Sequence, residues 1–139
     1  MDTASIRVLV VDDYEPWRRF VCSTCLKLPQ LRVVAEASDG LEAVQKAQEL
    51  QPDLIVLDVG LPTLNGIEAA LRIHRVAPST KVLFASQSSD VDVVRAALAN
   101  GARGYLLKAN CKTELLPALD AVIRGERFVS KQFRDQTFD

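Results

Sequence analysis

The chain predicts an α/β domain organised on a parallel sheet, on three observations. Leu54-Ile55-Val56-Leu57 is an unbroken apolar run between Pro52-Asp53 and Asp58, too short for an independent helix, as expected of a strand buried on both faces. Further short apolar runs alternate with stretches of helical period, giving five strands and five helices. The residues just past the ends of the first, third, fourth and fifth strands are Asp12-Asp13, Asp58, Ser86 and Lys108. In a parallel sheet those ends lie on one rim, where binding and chemistry are housed.

The elements follow in order. Ile6 to Val11 is apolar and mostly β-branched, a first strand that runs into Asp12-Asp13. A helix starts near Glu15-Pro16, since proline suits a first helical turn. Trp17, Phe20, Val21, Thr24 and Leu28 give it one apolar stripe, and Pro29 ends it. Leu31 to Ala37 is a less apolar second strand, suited to a sheet edge. Asp39 with Glu42 three residues later reads as a capping box for a second helix, with Leu41, Val44, Ala47 and Leu50 as its apolar face. After the third strand, Asn65-Gly66-Ile67-Glu68 repeats the cap pattern. The third helix carries Ile67, Ala70, Leu71 and Ile73 and stops before Pro78.

Lys81 to Ala85 is the fourth strand, ending at Ser86. Polar Gln87-Ser88-Ser89-Asp90 leads into a fourth helix with Val91, Val94, Ala97 and Leu98, stopped by Asn100-Gly101. Gly104 to Leu107 is a short fifth strand, ending at Lys108. The fifth helix runs roughly over 112–124, stops at Gly125 and contains Pro117, which should weaken or kink its first turns. Right-handed crossovers put helices on both faces of the sheet. Residues 126–139 read as a polar C-terminal tail with scattered aromatics, or as the start of a linker, outside a domain spanning 1–125.

Composition narrows the function classes. The 139 residues suit one domain; 48% are hydrophobic and 25% charged, as in a soluble globular protein. With 17 basic and 18 acidic residues the formal net charge is -1, so no basic excess points to nucleic acid. No apolar run approaches the roughly 20 residues of a membrane span. The N-terminus is short and acidic, unlike a signal peptide. Three cysteines, an odd number, fit a reducing cytoplasm. Cys22 and Cys25 spell C-x-x-C but lie inside a helix, where a redox pair is not expected, and they read as small apolar fillers. His74, the lone histidine, lies between Arg72 and Arg75 and reads as a solvated surface residue.

The rim carries the chemistry. Clustered carboxylates repel, and a hard divalent cation such as Mg²⁺ with oxygen ligands makes the cluster tolerable. The cation also neutralises a phosphoryl group, as does a lysine acting as a point charge, and a serine hydroxyl donates to a phosphoryl oxygen. Asp58 is then free to act as a nucleophile and form an acyl phosphate. A flavin or nucleotide binder would want a glycine- or hydroxyl-rich loop after the first strand, where this chain has two acids. An aspartate-based phosphatase would want a second acid two positions after the first, where this chain has Gly60.

Val10-Val11-Asp12-Asp13, Leu57-Asp58-Val59-Gly60-Leu61-Pro62, Asn65-Gly66, Ser86, Gly101-Ala102 and Gly104-Tyr105-Leu106-Leu107-Lys108, each in order and at strand ends, resemble a bacterial response-regulator receiver domain over residues 5–125. Leu106-Leu107-Lys108 and the stretch Arg124 to Ser130 are most similar to the NarL/FixJ subfamily. The resemblance implies a flavodoxin-like (βα)5 doubly wound sandwich with a five-stranded sheet in the order 2-1-3-4-5. It implies phosphorylation of Asp58 by a sensor histidine kinase or phosphotransfer protein, with Mg²⁺ (or Mn²⁺) held by Asp13 directly, by Asp12 through water, and by Asp58 and the Gly60 carbonyl. Lys108 would hold the phosphoryl oxygens, Ser86 would move toward them, and Tyr105 would swing inward behind it. The helix 4, strand 5 and helix 5 face would respond, with a possible homodimer on phosphorylation. The expected role is signalling in the cytoplasm rather than enzymatic turnover, limited to its own phosphorylation and slow autodephosphorylation. The output expected by the same resemblance is transcription through a helix-turn-helix domain that this chain does not include, so the chain reads either as a stand-alone receiver or as a piece of a longer regulator. A phosphorylation-independent interaction module with the same fold is the alternative.

Two residues depart from the family pattern. Gln87 stands beside Ser86 where most receivers have a small residue, so an altered autodephosphorylation rate is expected. Pro117 bears on the geometry of the fifth helix and of any dimer face there.

Overall fold

A computed structural model describes residues 5–136. The elements are β1 (Ile6–Val11), α1 (Glu15–Cys25), β2 (Leu31–Ala37), α2 (Gly40–Leu50), β3 (Leu54–Leu57), α3 (Gly66–Val76), β4 (Lys81–Ser86), α4 (Val91–Leu98), β5 (Gly104–Leu107), α5 (Cys111–Ile123) and β6 (Phe128–Val129). One-turn 3₁₀ helices occupy Lys108–Asn110 and Lys131–Phe133.

Among the described residues the sheet has six strands in the order β2-β1-β3-β4-β5-β6, and each neighbouring pair is parallel. The expected five-stranded order 2-1-3-4-5 holds for its first five strands, and β2 is the edge strand it was expected to be. The sixth strand corrects the five-strand expectation. Phe128 and Val129 are two apolar residues among polar ones, too short a run to read as a strand. Their pairing is set by β5: the Phe128 N–H donates to the Arg103 carbonyl at 3.0 Å, and the Ser130 N–H to the Tyr105 carbonyl at 3.0 Å. Gly104 permits the approach, because a Cβ there would lie 2.5 Å from the Phe128 carbonyl oxygen.

Side chains alternate across the sheet with period two and divide the core. Leu9, Val11, Ile55, Leu57, Phe84, Tyr105 and Leu107 face α2, α3 and α4. Val8, Val10, Leu54, Val56, Leu83, Ala85 and Leu106 face α1 and α5. β3 is buried on both faces, as its unbroken apolar run requires.

The helices begin where their caps predict. The Asp39 carboxylate accepts from the Glu42 N–H at 2.8 Å, and the Asn65 side chain from the Glu68 N–H at 3.0 Å. Two helices differ from their expected faces. Leu41 is half exposed, because α2 turns Gly40, Ala43 and Ala47 to the core and approaches its neighbours closely. α1 ends at Cys25, so Leu28 lies in the following turn. α5 runs unbroken from Cys111 to Ile123 with Pro117 on its exposed side.

Candidate functional site

Parallel strands deliver their last residues to one rim, and the loops after β1, β3, β4 and β5 meet there. Asp12 leaves β1 fully buried. Its Oδ1 accepts the Tyr14 N–H at 2.9 Å, which turns the chain into α1, and its Oδ2 accepts the Lys108 ammonium at 2.5 Å. Asp13 is exposed beside it. Asp58 follows β3, is 7% exposed, and holds an Oδ1 3.7 Å from Lys108 Nζ. Ligand oxygens of Asp12, Asp13 and Asp58 lie within 4.8 Å of one another. The predicted acids and lysine therefore do converge.

The α3 N-terminus closes this loop from behind. The Gly66 N–H donates to the Val59 carbonyl at 2.7 Å, and a Cβ on Gly66 would fall 1.9 Å from the Asp58 carbonyl oxygen. Only glycine lets the helix start this near the acid.

Burial pushes the Asp58 carboxyl above the usual aspartate range. The Lys108 ammonium pulls it back, Asp12 raises it again, the Gly60 N–H that donates to it lowers it, and Asp13 raises it. The balance is a basic, poorly solvated carboxylate next to a cation, suited to attack an electrophile whose own charge needs neutralising.

Ser86 ends β4 almost fully buried, and its hydroxyl accepts the Ser88 N–H at 3.1 Å. Tyr105, in β5, is completely buried, and its hydroxyl donates to the Ser88 carbonyl at 2.9 Å. Burial raises the phenol's pKa, while its hydrogen bonds to Ser86 and Ser88 act against the rise. Ser86, Ser88 and Tyr105 thus form one hydrogen-bonded unit behind the acids. Gln87 is exposed on the cleft wall.

Several residues at the site were not foreseen. Trp17 fits the apolar stripe of α1 and is buried, 8% exposed, yet it also lines the cleft, with its ring centroid 5.2 Å from Lys108 Nζ. The signal was its position in the first turn of the helix that follows the acid pair. Tyr14, Phe20, Val93 and Cys111 also line the cleft. Behind β5, the Ser130 hydroxyl donates to Glu114 at 2.6 Å and accepts the Leu107 N–H at 2.8 Å. Glu114 also accepts the Lys131 N–H at 3.0 Å, which ties the tail to α5. The cysteines are free thiols; burial pushes Cys25 up to about 12, which suits packing rather than redox chemistry. His74 is exposed, as expected.

The oxygen-only donor set fits a hard divalent cation, with Asp12, Asp13 and Asp58 as the residues able to hold it. No helix among the described residues is long and apolar enough to cross a membrane.

Comparison with known proteins places this geometry. The sequence profile of the response regulator receiver domain matches residues 8–120. The chain is 34% identical over 131 residues to the response regulator GacA of Pseudomonas viridiflava, covering 94% of this chain and 61% of GacA. It is 37% identical over 121 residues to the transcriptional regulatory protein LiaR of Bacillus subtilis, covering 87% of this chain and 57% of LiaR. It spans about three fifths of the length of these curated relatives. A two-component response regulator of the LuxR family from Aurantimonas superimposes with a TM-score of 0.88 at 30% identity, covering 95% of this chain and 94% of that one.

Proposed function

Since the chain belongs to the response regulator receiver domain family, we propose that Asp58 is its phosphoryl acceptor and that a sensor histidine kinase or phosphotransfer protein is its donor. The carrying observation is the placement of Asp58: nearly buried, 3.7 Å from Lys108 and clustered with Asp12 and Asp13.

In the proposed reaction an Asp58 carboxylate oxygen attacks the phosphorus of a phosphohistidine. A P–O bond forms to Asp58, the P–N bond breaks, and its electron pair leaves with the imidazole nitrogen. The Lys108 ammonium, already between Asp12 and Asp58, turns to the phosphoryl oxygens and offsets their charge. Asp12, Asp13, Asp58 and the Gly60 carbonyl are the proposed ligands of Mg²⁺ or Mn²⁺, which when bound would supply further charge neutralisation. Ser86 donates to a phosphoryl oxygen, and its departure from the Ser88 N–H loosens the unit that holds Tyr105. Gln87, on the cleft wall, screens the acyl phosphate from water and sets its lifetime.

The readout we propose is a shifted α4–β5–α5 face, which supports homodimerisation and controls transcription through an output domain outside this chain, in the cytoplasm. In this reading the receiver spans 1–125, and 126–139 begin the connection to that output domain. The transcriptional regulator LiaR among the relatives supports this output.

The test is intact mass after incubation with acetyl phosphate and Mg²⁺, comparing the wild type with Asp58→Asn. One added phosphoryl group, absent from the variant and without Mg²⁺, is the expected result. No adduct and no Mg²⁺ binding would reject the reading in favour of a phosphorylation-independent interaction module.

A further inference from the structure

The Lys108 ammonium has three neighbours: Asp12 Oδ2 at 2.5 Å, Asp58 Oδ1 at 3.7 Å, and the Trp17 ring, whose centroid is 5.2 Å away. The first two are explained by charge. The third is a specific choice by the sequence, since any apolar side chain at position 17 would complete the α1 stripe.

The indole is fixed from several sides. Trp17 lies in the first turn of α1, where its backbone N–H donates to the Tyr14 carbonyl at 3.1 Å. It packs in the core cluster shared with Val21, Leu106 and Leu115, and Phe20 lies against it at a centroid distance of 5.7 Å. The Lys108 side chain is 14% exposed, so its head is largely out of water. An aromatic face within about 6 Å attracts such a cation most strongly when both are desolvated, and indole is the best of the aromatic faces.

Phosphoryl transfer makes an unusual demand on this lysine. It must give up Asp12 and reach a phosphoryl oxygen that arrives at Asp58. A third carboxylate would hold the ammonium back, and water would let a flexible four-carbon side chain wander. An indole face attracts the charge without accepting its hydrogen bonds.

We propose that Trp17 is a positioning residue: its indole face seats the Lys108 ammonium so that it exchanges Asp12 for the incoming phosphoryl oxygen without leaving the site. The inference rests on the phosphoacceptor reading of Asp58, and its test is arranged to separate the two.

The wild type is compared with Trp17→Phe, which keeps a ring, and Trp17→Leu, which keeps apolar bulk alone. All are measured below their unfolding transitions. The first readout is the NMR shift of the Lys108 ε protons without metal or phosphodonor, assigned with Lys108→Met. They are expected upfield in the wild type from the ring current, and at ordinary lysine positions in Trp17→Leu. The second is the initial rate of adduct formation from acetyl phosphate and Mg²⁺, followed by intact mass. Trp17→Leu is expected to lose about tenfold and Trp17→Phe only part of that. A Trp17→Leu rate equal to the wild type overturns the proposal, as does a Trp17→Phe loss equal to that of Trp17→Leu, which would mean packing alone. Ordinary wild-type lysine shifts also overturn it. A wild type that forms no adduct removes the phosphoacceptor reading and this role together, and that result is recognised in the wild type before any variant is compared.

Discussion

The ring of Phe133 stands edge-on to that of Tyr105, with centroids 5.8 Å apart and planes at 88°. Phe133 comes from the 3₁₀ turn after β6, and Tyr105 from the middle of the rim-bearing strand β5. Tyr105 reaches the other way through its hydroxyl to the Ser88 carbonyl. One buried phenol therefore touches both the loop that follows Ser86 and the residues after β6.

Removing the Phe133 ring leaves a cavity beneath Tyr105, because the residue is 2% exposed. Phe133→Ala is expected to cost about 3 kcal/mol in urea unfolding, and Phe133→Leu distinctly less. A loss below about 0.5 kcal/mol in Phe133→Ala would show that the tail does not share the cooperative unit.

Glu114 gives that attachment a pH dependence. Burial works against its charge, but hydrogen bonds from Ser130, Lys131 and Asn110, with Arg134 nearby, hold its carboxyl below the usual glutamate range. The folded state thus binds this proton more weakly than the unfolded chain. The stability it contributes is present above the ordinary glutamate pKa and is lost as pH falls through the folded value. Glu114→Gln is expected to cost about 1–3 kcal/mol at pH 7, with the difference from wild type closing in acid. Denaturant titrations at pH 7 and pH 3 check this.

Asp58 runs in the opposite sense. Its raised carboxyl means that the folded state binds the proton more tightly than the unfolded chain does. Its favourable contribution is full below the ordinary aspartate pKa and is lost as pH rises through the folded value. Asp58→Asn keeps an acceptor for Lys108 and removes the buried charge. Its unfolding midpoint is expected about 2–5 °C above wild type at pH 7.5, with the gain shrinking toward pH 4. A lower midpoint at pH 7.5 would contradict it.

Gly66→Ala tests the close approach of α3. Its Cβ would meet backbone, 1.9 Å from the Asp58 carbonyl oxygen and 2.8 Å from the Val59 Cα, so either helix or acid must shift. A stability loss of about 2–4 kcal/mol is expected, together with slower adduct formation. Gly60→Ala is the control: a Cβ there would find only an Asp58 carboxylate oxygen, at 3.9 Å, and thermal unfolding should barely move.

The five long-range strands and the converging acids were legible because apolar runs and polar stops recur at strand spacing. Asp12, Asp58 and Lys108 were found from position alone. Other features were hidden for identifiable reasons. Trp17 satisfied the helix period, so nothing in the pattern announced its face toward Lys108. Leu41 fitted an apolar stripe, but glycine and alanine allow closer helix packing, and that preference is set by the neighbouring loop at Leu64. Nothing in the local sequence marks Glu114, because its partners Ser130 and Lys131 come 16 and 17 residues later. Pro117 suggests weakened or kinked first turns; α5 is continuous through it, and the lost hydrogen bond falls on an exposed side.

On the proposed reading, in which an output domain follows, the pairing of β6 with β5 would also set the reach of that domain. A strap leaving from Gly125 could sweep the eleven residues Glu126 to Gln136, about 35–40 Å when extended. Stitched to the sheet at Phe128 and Val129 and pinned again at Phe133, that length is withdrawn from the tether. A module attached beyond it would be confined to a smaller volume around the domain, where its effective concentration against this surface would be higher. Loosening the stitch would lengthen the leash and lower that concentration without altering a single contact of the module itself.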